Sequence, residues 1–215
     1  MKDILDELNL VQREVGPATT TAGEGKMVVL RRTYRADIDD VWDALTTPQR
    51  IGRWFLPVSG DFRVGGRFQT EGNAGGEILA CDAPSLLRVT WSMGEGNDGS
   101  EVELRLSKAT ADETLLELQH RAPVPPGMWE QFGPGAVGVG WEGAIFGLGR
   151  YLESGETLSP EEKAAWPMSE EARIFNTAAA QAWAAAHEAS GATPEEAASA
   201  AAATTAFYVP VVPEA

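Results

Sequence analysis

The sequence predicts an α+β domain whose elements are a strand, two short helices, about five or six further strands and one long helix. Between residues 67 and 120, apolar side chains repeatedly alternate with polar ones, which is typical of strands with one buried face. From Val137 to Leu152, apolar residues recur at offsets of 4, 7, 8, 11 and 15, which indicates a helix with an apolar stripe. A sheet with one apolar face needs a covering layer, so we expect the long helix, residues 132–152, to cover the sheet.

Composition and charge exclude several functional classes. The chain has 215 residues and a net charge of −15, and both nucleic acids and anionic membrane surfaces select for basic proteins. We therefore predict neither a nucleic-acid nor a membrane partner. Cys81 is the single cysteine, which rules out an internal disulfide and fits a reducing compartment. Acidic residues occupy the place where a signal peptide would need an apolar run, so we predict a cytoplasmic protein.

Residues 1–25 are predicted to form a short N-terminal helix and a flexible linker. Apolar residues within 3–14 are spaced as on an amphipathic helix, and 16–25 is rich in Gly, Thr and Ala. The domain proper, residues 26–153, then starts with a strand, because Val28, Leu30 and Tyr34 fall on one face.

Two short helices follow this strand. Asp37 fits an N-cap, with acids in the first turn of a helix that runs to about Thr46. Thr47 and Pro48 fit the N-cap and first position of a second helix, which Pro57 stops.

The next strands are predicted from alternation. Segments 67–70 and 77–81 come first, and then one face carries Leu87, Val89, Trp91 and Met93. Strands over 101–106 and 116–120 complete the set. Strands at this spacing are typical of an antiparallel meander.

Residues 154–215 are predicted to form an Ala-rich, acidic helical extension. Two segments, 159–162 and 193–196, fit a capping box with Pro at the first helical position. Between them, Ser169 begins a helix through about Ala189, whose stripe of Ala and aromatic residues suits close packing. That stripe would pack on the domain or on a second subunit, so a homodimer through this extension is possible.

Several short segments resemble one family in the same order. They are Val41-Trp-Asp-Ala-Leu-Thr-Thr-Pro48 with Trp54-Phe55, Asp61-Phe-Arg-Val-Gly-Gly66-Arg-Phe68, Gly76-Glu-Ile-Leu79, Leu87-Arg-Val-Thr-Trp91, Thr114–His120, and Gly140-Trp141. Together they cover about residues 26–153. The set resembles homologues of the activator of the heat-shock chaperone (90-kDa heat-shock protein) ATPase, a family of the START-like (SRPBCC) superfamily.

This resemblance implies a helix-grip fold, in which a curved antiparallel sheet wraps around a long C-terminal helix and leaves a cavity between them. Many members are expected to bind apolar small molecules there, and some relatives are cyclases, dehydratases or hydrolases. We predict a ligand site made of the aromatic residues of the matching segments, one histidine, and two residues of the helical stripe: Trp54, Phe68, Trp91, His120, Trp141, Ile145 and Leu148.

His120 is in phase with Leu116 and Leu118, so it should face the helix. It could orient a ligand or act as a general base, with Glu142 as a possible partner, although Glu142 is expected to be exposed. The alternative is a core histidine bonded to a neighbour. The histidines and Cys81 lack zinc-ligand spacing, so we predict no metal and no cofactor.

Three glycines, Gly138, Gly140 and Gly143, match the dinucleotide-binding pattern. No strand can directly precede them, because residues 123–127 are rich in proline, so we interpret them as permitting close approach of helix and sheet.

Three functions follow from these predictions. The first is non-enzymatic binding of an apolar or amphipathic small molecule between sheet and helix. The second is a cyclase- or hydrolase-like enzyme using the same cavity, with His120 as acid–base. The third is an interaction or dimerisation module acting through residues 154–215, or chaperone-ATPase stimulation, which the family name implies.

Overall fold

A computed structural model of the chain describes residues 4–94, 99–155 and 157–209. The first half contains α1 (Ile4–Asn9), β1 (Gln12–Thr20), β2 (Gly23–Tyr34), α2 (Ile38–Thr46), α3 (Pro48–Trp54), β3 (Val58–Gly60), β4 (Arg67–Thr70), β5 (Gly75–Asp82) and β6 (Leu86–Thr90). The second half contains β7 (Glu101–Lys108), β8 (Thr114–Ala122), α4 (Met128–Phe132), α5 (Gly135–Ser154), α6 (Pro160–Ala165), a 3₁₀ turn (Trp166–Met168), α7 (Glu170–Ala189) and α8 (Pro194–Tyr208).

The eight strands form one antiparallel sheet in the order β1-β2-β8-β7-β6-β5-β4-β3. The long helix α5 packs on its inner face and contacts β2. Alternate residues of the central strands are buried beneath the helix, so the core lies between these two layers: Val28, Leu30, Val102, Leu116, Leu118, Ile145 and Leu148. This architecture confirms the predicted α+β class and the helix-grip fold.

The prediction of a flexible linker over residues 16–25 is wrong. All nine residues of β1 pair with β2, so 12–34 forms a long hairpin. The small residues of this segment can form a β-strand, because the backbone hydrogen bonds that pair two strands do not depend on the side chains. Neighbouring elements cover one face of the strand. At Gly25, a side chain would collide with the carbonyl of Ala122 on β8. Glycine thus serves strand packing here, and the N-terminal helix ends earlier than predicted, at Asn9.

The two short helices occur as predicted, with Asp37 and Thr47 at their N-caps, although neither side chain makes a capping hydrogen bond. Two residues placed on apolar faces are instead exposed. Met93 lies beyond the end of β6 and is 71% exposed, because the strand stops at Thr90. Val137 lies in the first turn of α5 and is 39% exposed.

The C-terminal extension is packed on the domain. Both predicted capping boxes are present, at Ser159 and at Thr193, and Ser169 caps α7. Helix α7 contacts α1, β1 and α5. Its Trp183 lies directly against the backbone of Gly138, where a Cβ would overlap the indole ring. The glycine therefore permits helix–helix contact, not the helix–sheet contact predicted. Among the described helices, none is long and apolar enough to cross a bilayer.

Candidate functional site: an apolar cavity under the long helix

A cavity of about 170 Å³ lies between the sheet and α5. Helices α2 and α3 and the β3–β4 region close its sides. Its wall comprises Leu45, Thr46, Ile51, Trp54, Phe55, Val58, Phe62, Phe68, Thr70, Ile78, Cys81, Leu87, Val89, Trp91, Val102, Leu104, Leu116, Leu118, Trp141, Ala144, Ile145 and Leu148.

Local sequence periodicity explains how these side chains meet. Every second residue of a strand points to the same face, so each strand contributes apolar side chains, such as Leu116 and Leu118 of β8, to one surface. Helix α5 supplies its residues at helical spacing, namely Trp141, Ala144, Ile145 and Leu148. The cavity is therefore the space left where a period-two surface faces a period-3.6 surface.

An aromatic cluster forms one end of the cavity. The ring of Trp141 lies 4.9 Å from that of Trp91 and 6.5 Å from that of Phe55, measured between centroids. Phe68 extends the cluster from Trp91 at 6.0 Å, and Trp54 extends it from Phe55 at 5.6 Å. Aromatic pairs at these separations attract one another beyond simple burial, which gives this end of the cavity a defined shape.

His120 holds Trp141 in place. The indole Nε1–H of Trp141 donates to Nδ1 of His120 at 2.9 Å. Because an indole N–H can only donate, Nδ1 must be unprotonated, and the ring proton then lies on Nε2, which is 2.7 Å from Oγ of Ser100. The imidazole thus bridges β8 to the ring of Trp141 and fixes how that ring faces the cavity.

Three further polar groups of the wall are bonded within the protein. Trp54 donates from Nε1 to the carbonyl of Ala44 at 3.0 Å, and the hydroxyl of Thr46 donates to the carbonyl of Trp42 at 2.8 Å. The hydroxyl of Thr70 likewise donates to a backbone carbonyl. Since these groups already have partners, the surface they present to the cavity behaves as apolar.

The cavity has an apolar mouth. Phe62 and Cys81 both line the cavity, and both are exposed, Phe62 to 46%. They lie on the β3–β4 connection and near the end of β5. The cavity therefore reaches the protein surface beside these two residues, and this opening is its mouth.

The structure brings six of the seven predicted site residues onto this wall: Trp54, Phe68, Trp91, Trp141, Ile145 and Leu148. His120 faces the helix as predicted, but it lies beside Trp141 and outside the wall, so its direct contact with a ligand stays a prediction. Sixteen of the 22 wall residues were not among the predicted site residues, and Phe55 and Leu104 are two of them. Leu104 could have been found from the alternation of its strand, whereas Phe55 lies after the last residue of α3 and shows no periodicity.

The exposure predicted for Glu142 is wrong. This residue is 1% exposed, and its carboxylate accepts hydrogen bonds from Arg13 and, at 2.9 Å, from Nε1 of Trp183. Burial raises the pKa of Glu142 above its ordinary value, although the guanidinium of Arg13 and the indole of Trp183 oppose this shift. The prediction failed because α7 and β1 cover this face of α5. Glu142 therefore ties three elements together.

No cluster of His, Cys, Asp and Glu suited to holding a metal ion occurs within residues 4–94, 99–155 and 157–209. His187, the second histidine, lies in the last turn of α7 with its ring centroid 5.4 Å from that of Trp129, and burial lowers its pKa.

Together, the curved antiparallel sheet, the long helix and the apolar cavity between them define a START-like helix-grip protein. Residues 35–153 match the family model described as "Activator of Hsp90 ATPase homolog 1-like protein", and the chain belongs to this family. No curated protein is similar enough to count as a match.

Solved structures extend the similarity beyond the family region. The crystal structure of CalU16 from Micromonospora echinospora is 39% identical, with a TM-score of 0.64, over 83% of this chain and 98% of that chain. The solution NMR structure of the same protein is also 39% identical, with a TM-score of 0.69, over 83% and 96%. DynU16, described as a protein in the dynemicin biosynthetic locus, is 22% identical with a TM-score of 0.53, over 66% and 61%, and supports the fold alone.

Proposed function

We propose that this protein binds an apolar or amphipathic small molecule in the cavity under α5 and does no chemistry on it. One observation carries the proposal: every side chain of the described wall is apolar or aromatic except Thr46, Thr70 and Cys81. Such a wall favours a ligand through burial of apolar surface, by about 25 cal/mol per Å² before the cost of association.

The size of the cavity limits the ligand. At about 170 Å³ it is smaller than pockets that enclose drug-sized molecules, which are roughly 300–1,000 Å³. It is comparable to an engineered apolar cavity of about 150 Å³ that binds benzene. A compact apolar group would fit inside, and the polar part of an amphipathic ligand would remain at the mouth near Phe62 and Cys81.

The enzymatic alternative has less support. Both ring nitrogens of His120 are within hydrogen-bonding distance of protein partners, Trp141 and Ser100, so a general base at this position would first have to give up one of them. Chaperone-ATPase stimulation rests on the family name. A homodimer through residues 154–215 would have to use the outer faces of α7 and α8, because Phe175 and Trp183 of the inner stripe are buried within the chain.

The test is native mass spectrometry of protein purified without added ligand and then titrated with octanol. Leu104 and Leu115 lie on neighbouring strands, but Leu104 lines the cavity whereas Leu115 is adjacent in sequence to the cavity residue Leu116 and points to the opposite face. We expect Leu104→Trp to abolish octanol binding and the matched control Leu115→Trp to retain it. A wild-type protein that carries no adduct and takes up no octanol would overturn the proposal, as would equal uptake by both variants.

A further inference from the structure

We propose that the protein has a second binding site, which takes a small organic anion with an apolar body. The site is a cleft of about 240 Å³ between α3, α5 and α6. We call it the basic cleft and define it by Arg53, Gly143, Phe146, Arg150, Lys163 and Trp166. We call the cavity under α5 the central cavity. The basic cleft is a separate site, and binding there does not depend on the function proposed for the central cavity.

The basic cleft concentrates positive charge in an acidic protein. Its three cationic residues come from three helices, in a chain with a net charge of −15. Lys163 is anchored by donating from Nζ to the carbonyl of Gly52 at 3.1 Å, and the guanidinium of Arg150 lies 6.0 Å from the ring centroid of Phe146. Where most of the surface repels anions, such a convergence of cations attracts them selectively.

A neighbouring acid is already engaged. Glu162 on α6 accepts a hydrogen bond from the backbone N–H of Ser159, at 2.8 Å, as part of the capping box. This carboxylate is held at the helix N-terminus by its capping role. The guanidinium of Arg53 and the ammonium of Lys163 line the cleft and are the groups that an incoming anion would meet.

The floor of the basic cleft is apolar and aromatic. Phe146 and Trp166 both pack on Phe175, with ring centroids 5.2 Å and 5.9 Å from it. Gly143 keeps the cleft open, because a Cβ there would have only the ring of Phe175 near it, at 4.0 Å. Gly147 allows the end of α3 to lie close to α5, since its Cβ would lie 2.9 Å from the carbonyl oxygen of Trp54. A floor of rings below a rim of cations suits an amphipathic anion.

The C-terminal extension completes the basic cleft. Leu158, Lys163 and Trp166 line it from beyond the family-matched residues. Trp54 and Phe55 line both this cleft and the central cavity. The extension thus contributes binding residues in addition to packing on α5.

The experiment uses the indole N–H resonances of the seven tryptophans in the full-length protein, assigned by Trp→Phe variants and titrated with octanoate or octanol at neutral pH. Trp166 reports on the basic cleft, and Trp91 and Trp141 report on the central cavity. We expect octanoate to shift the Trp166 resonance saturably, and octanol, which has the same chain without the charge, to bind there at least about tenfold more weakly.

Two variants test the origin of this binding. Arg53→Gln with Lys163→Gln should weaken octanoate binding at Trp166 about tenfold. The matched control, Arg35→Gln with Arg173→Gln, removes the same charge from exposed positions and should leave it unchanged.

Gly143→Leu should abolish the Trp166 response by filling the basic cleft, while the Trp91 response to octanol persists. The proposal is overturned if octanoate does not shift Trp166, if octanol shifts it at equal affinity, or if the cleft variant binds as tightly as the control. Loss of the Trp91 and Trp141 responses alone would refute only the function proposed for the central cavity.

Discussion

Replacing Arg13 by methionine is the most informative stability test, because it isolates the buried carboxylate of Glu142. In the native protein this carboxylate accepts from Nε of Arg13 at 3.0 Å, from a second guanidinium nitrogen, and from Nε1 of Trp183. Arg13→Met leaves it buried with one partner. Removing one member of a buried ion pair costs about 3–5 kcal/mol, which is a large share of the roughly 5–15 kcal/mol that stabilises a typical domain.

The loss of stability in Arg13→Met should depend on pH, and the burial of Glu142 determines the direction of this dependence. Its pKa is raised in the folded protein, so the folded state holds this proton more readily than the unfolded chain does. The stability that the group contributes is therefore fully present below the ordinary carboxyl pKa and is lost as pH rises through the folded value. Without Arg13 the folded pKa rises further. The difference in unfolding free energy between wild type and Arg13→Met should be largest near neutral pH and shrink on acidification.

The assay is urea-induced unfolding of both proteins at about pH 7 and about pH 5, followed by tryptophan fluorescence. Arg173→Gln is the control, because it breaks an exposed pair with Glu170 and should not change stability measurably. The reasoning is refuted if Arg13→Met loses less than about 1 kcal/mol at neutral pH, or if its deficit grows as the pH is lowered.

Three further predictions concern packing around α5. Gly138→Ala should destabilise the protein, because the added methyl group would overlap the ring of Trp183. Gly143→Ala should be neutral or stabilising by up to about 1 kcal/mol. Thermal unfolding of the two variants, compared with the wild type, measures both effects. Trp141→Phe should remove the hydrogen bond from the indole to Nδ1 of His120, which NMR would show as a shift of the His120 ring resonances. Unchanged His120 resonances would contradict this hydrogen bond. Truncation after Ser154 should remove the layer that covers α5 and yield a chain without a cooperative unfolding transition; a stably folded monomeric core would show that the extension is dispensable for folding.

Four of the predicted site residues on the cavity wall have positions that follow from local periodicity, whereas Trp54 and Phe68 were predicted from the family resemblance. Trp141, Ile145 and Leu148 share a helical stripe, and Trp91 continues the alternation of its strand, so each reaches the cavity wall as expected. Periodicity specifies a face of an element, but it does not specify what packs against that face. Val137 shows this limit, because it belongs to the stripe by spacing and is nonetheless exposed.

The failures come from contacts between residues distant in the chain. Glu142 has a polar side chain on a helix that was expected to have one solvent-facing side, and its burial depends on Arg13 and Trp183, 129 and 41 residues away. The hairpin over 12–34 was missed because Gly and Thr are typical of linkers when read locally. Strand pairing with β2, which composition does not encode, determines its structure.

The central claim is that the cavity under α5 holds an apolar ligand. Titration of the wild-type protein and of Leu104→Trp with octanol, observed at the indole resonances of Trp91 and Trp141, tests it most directly. We predict saturable shifts of both resonances in the wild type and their loss in the variant, with Leu115→Trp behaving as wild type. If octanol leaves both resonances unshifted in the wild type, or shifts them equally in Leu104→Trp, the cavity is not a binding site.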